Sequence, residues 1–389
     1  MTASSVTART ADGRAGILSW PLGVFGVLVL AGLVWLRAQA VPSVASHGVY
    51  LVGLAFAITF FAVPVVHRLA LWRGVVDVPS ARKVHAIPTP LLGGVAVFVG
   101  FAVTVLLNFN FSRPLKGVAL GATIVVAVGV VDDVVEIPAW LKLLGQLGAA
   151  AVALSYDVQL VLLPHWFPAS PALNAVITVL WLLTVTNAIQ FLDGMDGLAA
   201  GVGAIAAFFF SIAAVQTNQR YLMYLSAAMV GACLAFLPYN FRPGGARIFL
   251  GDAGASFVGF ALAGFAVMGE WSETSPVVAL CTPLLILAVP LFDIGYVGVL
   301  RILTGKVSTV IEWLAYTGKD HIHHRFEALG LTKAQSVLLI YFIAATLGLS
   351  ALELKGSRAD EAIVILFQAV CVLAIIAILE SVGRGRSPR

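Results

Sequence analysis

Long, uninterrupted runs of apolar residues recur along the chain and are separated by short polar segments. Because apolar and polar residues do not alternate within the runs, the pattern predicts helices and not the strands of a membrane barrel. The hydrocarbon core of a bilayer is about 30 Å thick, so a helix needs about 20 apolar residues to cross it. The predicted helices cover residues 17–36, 49–67, 91–109, 117–131, 139–155, 172–187, 198–215, 221–237, 253–269, 277–300, 335–352 and 362–380.

The composition turns this pattern into a fold class. Hydrophobic residues make up 60% of the 389 residues and charged residues 11%, against roughly 25% charged residues in a soluble domain. These values exclude a soluble enzyme, a secreted disulfide-rich scaffold and a disordered chain. We therefore predict an all-α polytopic membrane protein with about 11–12 transmembrane helices in a lipid bilayer, and no nucleic acid partner.

No linker is long enough to separate two folding units. We divide the chain into an N-terminal tail with an extra transmembrane helix (1–48), a core (49–352), and a last transmembrane helix with a basic cytoplasmic tail (353–389). The first apolar segment has two interpretations. It is either a retained helix or a signal peptide cleaved near the AQA sequence at 38–40, and its length favours retention.

The distribution of charge predicts the orientation. If the N-terminus is cytoplasmic, most of the 23 Lys and Arg residues fall in cytoplasmic loops, as the positive-inside rule requires. The unusual polar residues then also lie on the cytoplasmic side. A transport path would need polar groups near the midplane, where Asp293 is the candidate. The pattern therefore favours chemistry at one membrane surface over transport.

Carboxylates at predicted helix ends form the first candidate site. They are Asp132, Asp133, Asp193, Asp196 and Asp252. Each alone could be a solvated surface group, but adjacent carboxylates repel, so they persist where a cation binds or where one holds a proton. A hard divalent ion with oxygen ligands and substrate phosphates fits best, namely Mg²⁺ with Mn²⁺ as an alternative.

Glycine-rich turns accompany these carboxylates. The DGMDG sequence at 193–197 and the GDAG sequence at 251–254 each open a predicted helix. Glycine permits close approach of the backbone, so the first amides of these helices could face an anion. Ordinary turn chemistry between helices explains each sequence alone, and this alternative stays open.

Basic and amide side chains complete the candidate site. The HIHHR sequence at 321–325 favours recognition of phosphate or sugar, because Arg matches phosphate oxygens with two parallel hydrogen bonds; a zinc site and solvated histidines are the alternatives. Lys142 and Gln146 share one helix face. Lys142 either extends to the membrane surface or reaches the aspartate pair, and the sequence does not decide between them.

These residues together predict phosphoryl transfer between a water-soluble anion and a lipid phosphate. In the stretches that hold these residues, the sequence resembles the bacterial polyprenyl-phosphate N-acetylhexosamine-1-phosphate transferases (WecA/TagO type), in the MraY-like glycosyltransferase 4 superfamily. The matching stretches occur in the family's order: VDVP at 76–79, RKVH at 82–85, PTPLLGG at 88–94, VDD at 131–133, KLLGQ at 142–146, TNAIQFLDGMDGLA at 186–199, FLGDAGAS at 249–256, PLFD at 290–293 and HIHHR at 321–325.

The resemblance implies a reaction and a set of roles. The enzyme would transfer N-acetylglucosamine 1-phosphate from a UDP-N-acetylhexosamine to undecaprenyl phosphate and release UMP, at the cytoplasmic face of the bacterial inner membrane. Asp132, Asp133 and Asp252 would be catalytic, with Asp252 and Gln190 as metal ligands. The residues implied to bind substrates are Lys83, Asn187, Asp193, Asp196, His321, His323, His324 and Arg325.

Two departures from the family pattern concern the metal and the glycine turn. Gln190 stands where an Asn is expected, which places its amide oxygen one methylene further out. Ala255 stands between Gly254 and Ser256, where Ser more often follows Gly directly. The alternative functions are the phospho-N-acetylmuramoyl-pentapeptide transferase of peptidoglycan synthesis and, more distantly, an anion transporter. The sequence leaves open whether the protein forms a homodimer and which glycopolymer receives the product.

Overall fold

The computed structural model describes residues 44–78, 88–108, 112–164, 166–272, 275–305 and 322–386. Several predictions concern residues outside these ranges. They are the first predicted helix (17–36), together with the question whether it is retained or cleaved, and the site residues Lys83 and His321. The side chains of His323 and His324 are also outside the description.

The described elements are almost entirely helical. In chain order they are α1 (Val44–Arg73), β1 (Val76–Asp77), β2 (Thr89–Pro90), α2 (Gly93–Asn108), α3 (Arg113–Val135), α4 (Ala139–Ser155), α5 (Ser170–Leu192), α6 (Leu198–Gln216), α7 (Arg220–Asn240), α8 (Gly251–Met268), α9 (Pro276–Ile286), α10 (Ala288–Leu303), α11 (Ile322–Ala328), α12 (Lys333–Gly356) and α13 (Ala359–Arg386).

Most of these helices are long enough for a bilayer. Within the described ranges, eight helices are long and apolar enough to cross a membrane, or nine spans if the bent pair α9 and α10 counts as one. The apolar helices α2 and α4 are shorter. The predicted class, an all-α polytopic membrane protein, is therefore confirmed.

The prediction of one continuous helix over 277–300 is wrong. The chain bends by 81° between α9, which ends at Ile286, and α10, which begins at Ala288. Pro290 has no N–H to donate to the carbonyl of Ile286, and its ring crowds that carbonyl. The helical hydrogen-bond ladder therefore cannot run regularly through this point, although hydropathy alone does not register the break.

The helix α8 lies at the centre of the fold. In its apolar window 83% of residues are buried, against 11% for α13, and α8 packs against α2, α3 and α5. Glycines allow this close packing. A Cβ atom on Gly94 would lie 2.0 Å from the Cα of Gly254, and one on Gly129 would lie 2.4 Å from the Cα of Ala253. The beginning of α8 is thereby held against α2 and against the end of α3.

The two short strands hold the segment that precedes α8. They pair antiparallel, with Val76 opposite Pro90 and Asp77 opposite Thr89. The N–H of Phe249 donates to the carbonyl of Pro90 over 2.9 Å. The start of α8 is therefore fixed by backbone hydrogen bonds as well as by helix packing.

Candidate active site

Two carboxylates and one ammonium group meet where α3, α4 and α8 converge. Lys142, in the first turns of α4, forms an ion pair with Asp132 at the end of α3. Its Nζ also lies 3.4 Å from Oδ2 of Asp252 in the first turn of α8. Asp132 is 5% exposed and Asp252 is 32% exposed. Lys142 therefore reaches the aspartates, which answers the question that the sequence left open.

Asp133 lies at the N-terminus of α8. Its Oδ1 accepts a hydrogen bond of 2.8 Å from the N–H of Asp252, and its Oδ2 accepts one of 3.3 Å from the N–H of Ala253. A carboxylate at a helix N-terminus is stabilised by the free amides and by the helix dipole. Gly251 has a φ of +74°, and a Cβ atom there would lie 2.6 Å from Oδ2 of Asp133, so glycine makes room for this contact.

As predicted, the first amides of α8 face an anion, but this anion is the carboxylate of Asp133 and not a substrate phosphate. At the start of α6, the N–H of Gly197 donates over 2.5 Å to Oδ1 of Asn240. Sequence reasoning missed Asn240. A polar residue at the end of the apolar run of α7 was the available signal, but its partner is distant in sequence.

A network of side-chain amides links α4, α5 and α8. Gln190 donates through Nε2 to Oδ1 of Asp252. Gln146 accepts a 2.7 Å hydrogen bond from Nδ2 of Asn187, and its own Nε2 lies 3.5 Å from Oε1 of Gln190. Gln146 and Lys142, predicted to share a face, thus contact the same site. Gln190 lies beside Asp252, as the predicted metal-ligand pair requires.

The loop between α5 and α6 brings two further acidic side chains, Asp193 and Asp196, toward this junction. Burial raises the pKa of Asp193 well above its ordinary value, and the charges of Asp252, Asp133 and Asp196 raise it further. Asp196 accepts a 2.9 Å hydrogen bond from the N–H of Ala246. Asp193 is therefore within electrostatic reach of Asp133, Asp196 and Asp252, and Asp196 also anchors the loop that leads to α8.

The cluster carries more negative than positive charge. Its acidic side chains are those of Asp132, Asp133, Asp193 and Asp252, and among the described residues Lys142 forms ion pairs with Asp132 and Asp252. Among the described residues, no group of three or more His, Cys, Asp or Glu side chains has the spacing of a metal site. A small cleft beside Asp252 is lined by Lys142, Gln146 and Gln190.

Most of the HIHHR sequence, the last of the predicted motifs, lies on α11 and is held by α10. Residues 322–325 of the HIHHR sequence lie in the short helix α11, whereas a loop was predicted. Arg325 is 8% exposed. Asp293, on α10, is fully buried and accepts a 2.8 Å hydrogen bond from the N–H of Ile322. Asp293 therefore fixes the beginning of α11, while the contact of Arg325 with substrate stays a prediction.

The fold and the site together define a polytopic helical membrane protein with a cluster of carboxylates, a lysine and side-chain amides where α3, α4 and α8 converge. The sequence profile of glycosyl transferase family 4 matches residues 115–270. The Bacillus subtilis (strain 168) protein named probable undecaprenyl-phosphate N-acetylglucosaminyl 1-phosphate transferase is 33% identical over 338 residues, which cover 83% of this chain and 90% of the relative. The chain belongs to this family, which confirms the resemblance and the class of sugar-phosphate transferase.

Other relatives represent two substrate classes by name. The decaprenyl-phosphate N-acetylglucosaminephosphotransferase of Mycolicibacterium smegmatis is 31% identical over 369 residues, covering 86% of this chain and 89% of that protein. The phospho-N-acetylmuramoyl-pentapeptide-transferase of Desulforudis audaxviator is 29% identical over 353 residues, covering 78% of this chain and 98% of that protein. The carboxylate cluster lies within the part of the chain that matches the family.

Proposed function

We propose that the protein transfers N-acetylglucosamine 1-phosphate from UDP-N-acetylglucosamine to a polyprenyl phosphate, here undecaprenyl phosphate. A phosphate oxygen of the lipid attacks the phosphorus that carries the sugar. A P–O bond to the lipid phosphate forms as the P–O bond to UMP breaks, leaving a lipid-diphosphate sugar. The names of the relatives from Bacillus subtilis and Mycolicibacterium smegmatis support this donor and this lipid class.

One observation carries the proposal: Asp132 and Asp252, at the ends of two helices long enough to span a membrane, meet Lys142 of the shorter helix α4. Phosphoryl transfer depends mainly on positioning the reactants and stabilising charge. A site at the ends of apolar helices lets a lipid enter from the bilayer while a nucleotide enters from water. This geometry explains why a phosphotransferase would use so many helices.

The contacts suggest different roles for the adjacent aspartates. Both carboxylate oxygens of Asp133 accept hydrogen bonds from α8, so we assign Asp133 to holding α8 and its Asp252 in place. In Asp132, Oδ1 accepts a hydrogen bond from the N–H of Ile137 and Oδ2 forms the ion pair with Lys142. We assign Asp132 to orienting the lipid phosphate or accepting its proton, with Lys142 neutralising the phosphate charge. Direct attack, without an aspartyl intermediate, is the favoured pathway.

The nucleotide sugar would be bound by the remaining predicted residues. Asn187 lies on α5, and Asp193, a member of the carboxylate cluster, and Asp196 follow that helix. We assign these three residues to the nucleotide pocket. Arg325 and the histidines of the HIHHR sequence are assigned to the diphosphate and the sugar, because guanidinium and imidazole groups donate to such oxygens.

The donor set fits a hard divalent cation such as Mg²⁺. The carboxylate of Asp252 and the amide oxygen of Gln190 are oxygen donors of the kind that Mg²⁺ prefers, and the surplus of carboxylates supplies the negative charge. Because Nε2 of Gln190 faces Asp252, the side-chain amide would have to rotate by about 180° to present its oxygen to the cation. When bound, the cation would neutralise the charge of the donor's diphosphate.

We propose that the site lies at the cytoplasmic face of the bacterial inner membrane. The positive-inside distribution supports this orientation, and a nucleotide sugar is a cytoplasmic substrate. The lipid product would begin the synthesis of a cell-envelope glycopolymer, of which lipopolysaccharide and teichoic acid are examples.

A donor panel tests the proposal. Purified protein is incubated with undecaprenyl phosphate, Mg²⁺ and either UDP-N-acetylglucosamine or UDP-N-acetylmuramoyl-pentapeptide, and the lipid product is identified by mass. We expect undecaprenyl-diphosphate N-acetylglucosamine together with UMP. A product formed with the pentapeptide donor alone would assign the protein to the activity that the Desulforudis relative's name describes. Uptake into liposomes without bond cleavage would instead favour the transporter.

A further inference from the structure

The DGMDG turn (193–197) between α5 and α6 carries two acidic side chains on a backbone with little conformational preference of its own. It has glycine at 194 and at 197, and Gly197 adopts a φ of +84°. Glycine populates positive φ about as readily as negative φ, so several backbone conformations are open to such a turn. The directions of Asp193 and Asp196 therefore depend on contacts from outside the turn.

Side chains from two other helices hold Gly197 on both sides. Oδ1 of Asn240, the last residue of α7, accepts a hydrogen bond of 2.5 Å from the N–H of Gly197. The hydroxyl of Tyr341 on α12 donates a hydrogen bond of 2.6 Å to the carbonyl of Gly197. The first contact restrains the peptide group that joins Asp196 to Gly197, and the second restrains the next peptide group. The backbone beside Asp196 is therefore held by α7 and by α12.

Small residues and an aromatic ring make the place for the Tyr341 side chain. A Cβ atom on Gly201, in the first turns of α6, would lie 1.9 Å from the hydroxyl oxygen of Tyr341. The ring of Tyr341 also contacts that of Phe241, with the centroids 6.3 Å apart. A phenylalanine at this position would make the same ring contact. The hydroxyl therefore contributes mainly the hydrogen bond to Gly197.

Tyr341 acts from outside the part of the chain that carries the carboxylate cluster. It lies 144 residues after Gly197 and beyond the residues 115–270 that match the family profile. The helix α12 packs against α6, and its apolar sequence alone predicts no more than a membrane span. Through one hydroxyl, this helix contacts the turn that leads into α6.

We propose that Tyr341 is a positioning residue: through Gly197 it holds the DGMDG turn in the conformation that directs Asp193 and Asp196 toward the nucleotide sugar. Tyr341 acts through the turn and not by contact with a substrate. The substrate in this statement rests on the proposed function, whereas the ordering of the turn by Tyr341 does not. The ordering can therefore be tested without turnover.

The kinetic test uses Tyr341→Phe, which removes the hydroxyl and keeps the ring. Tyr239→Phe is the matched control, because the hydroxyl of Tyr239 also donates to a backbone carbonyl, that of Phe60 on α1 at 3.0 Å, and not to the turn. We expect Tyr341→Phe to raise the KM for UDP-N-acetylglucosamine about three- to tenfold, the effect of one hydrogen bond on an equilibrium. Its kcat and its KM for undecaprenyl phosphate should stay at the wild-type values. Tyr239→Phe should change none of the three constants.

A measurement of hydrogen exchange separates the ordering of the turn from catalysis. In substrate-free protein, Tyr341→Phe should speed exchange of the amides in the peptide that covers residues 193–201, because the turn opens more often. The amides of α8 should exchange at the wild-type rate, and Tyr239→Phe should leave both regions unchanged.

Three results would overturn the proposal. Unchanged exchange in the DGMDG turn would show that the hydroxyl of Tyr341 does not order it. Faster exchange with an unchanged KM for UDP-N-acetylglucosamine would remove the link to the nucleotide sugar. An equal rise in both KM values would indicate general destabilisation. If the wild type does not use the nucleotide sugar, the proposed function fails, and the exchange result alone decides whether Tyr341 orders the turn.

Discussion

Lys142 forms ion pairs with two carboxylates that come from different helices, so its single positive charge offsets part of the repulsion between them. Replacing it by Gln leaves Asp132 and Asp252 facing each other without a cation, and like charges at such distances disfavour the folded state. In the variant Lys142→Gln we expect a lower Tm in EDTA and a larger rise in Tm on addition of Mg²⁺ than in the wild type, because a ligand bound only by the folded protein stabilises it. Thermal unfolding in detergent measures both.

The control for this prediction is Lys116→Gln, an exposed lysine in the first turn of α3. It should respond to Mg²⁺ as the wild type does. If the Mg²⁺-dependent rise in Tm is the same in Lys142→Gln and in the wild type, then a cation does not take over the role of the ammonium group. The proposed divalent site would then lose its support.

Asp252 is the residue at which the contacts of the site converge, because Lys142 and Gln190 both donate to its carboxylate. Asp252→Asn keeps the shape and removes the charge. We expect turnover to fall by about a hundredfold or more, the scale on which one electrostatic contact to the transition state acts. Radiolabelled transfer to undecaprenyl phosphate measures it. The control Asp157→Asn, at an exposed position after α4, should keep wild-type activity. Wild-type activity of Asp252→Asn would contradict the assignment of Asp252 as a catalytic residue.

At the scale of single residues, the sequence predicted which charged side chains belong to the site better than it predicted which groups they contact. The spacing of Lys142 and Gln146 was enough to place both on one helix face, and the structure finds both at the site. That Asp133 would occupy the amides of α8 could not be predicted, because it depends on how α3 and α8 meet. Asn240 has no recognisable motif, since its importance arises from burial and from a partner, Gly197, that is distant in sequence.

Gly129 sets the distance between the helices α3 and α8, and thereby between the aspartates that they carry. A Cβ atom there would lie 2.4 Å from the Cα of Ala253, and backbone cannot yield as a flexible side chain can. Gly129→Ala should cost about 1–3 kcal/mol of stability and reduce activity further than stability alone explains. Thermal unfolding and the transfer assay, performed on the same preparation, separate the two effects.

Gly148 provides the comparison for this substitution. It lies within α4, and a Cβ atom there would have no neighbour within 4 Å. Because alanine is a better helix former than glycine by up to about 1 kcal/mol, Gly148→Ala should leave the protein equally or more stable and fully active. If both substitutions have the same effect, close packing of α3 on α8 does not control the geometry of the site.

The elements themselves were largely predictable, because each apolar run must be a helix in a bilayer. The predicted helix over 221–237 corresponds to α7 and the one over 253–269 to α8, with ends shifted by a few residues. The break between α9 and α10 could not be located from hydropathy, since both sides of it are apolar. The helix α11 was missed because its seven residues are too short and too polar for the hydropathy pattern that predicted the others.

For the whole molecule, the proposed sidedness of the site rests on the positive-inside distribution and on the acidic, amide and imidazole groups that the same predicted topology collects on one side. If the orientation is as proposed, sealed inverted vesicles should transfer N-acetylglucosamine 1-phosphate from added UDP-N-acetylglucosamine. Sealed right-side-out vesicles should do so only after permeabilisation, because the donor is an anion that does not cross lipid. Labelled product per milligram of membrane measures both, and an intrinsic marker enzyme of known sidedness controls for orientation. Activity in sealed right-side-out vesicles that permeabilisation does not increase would place the carboxylate cluster on the outer face, and the charge distribution would then need another explanation.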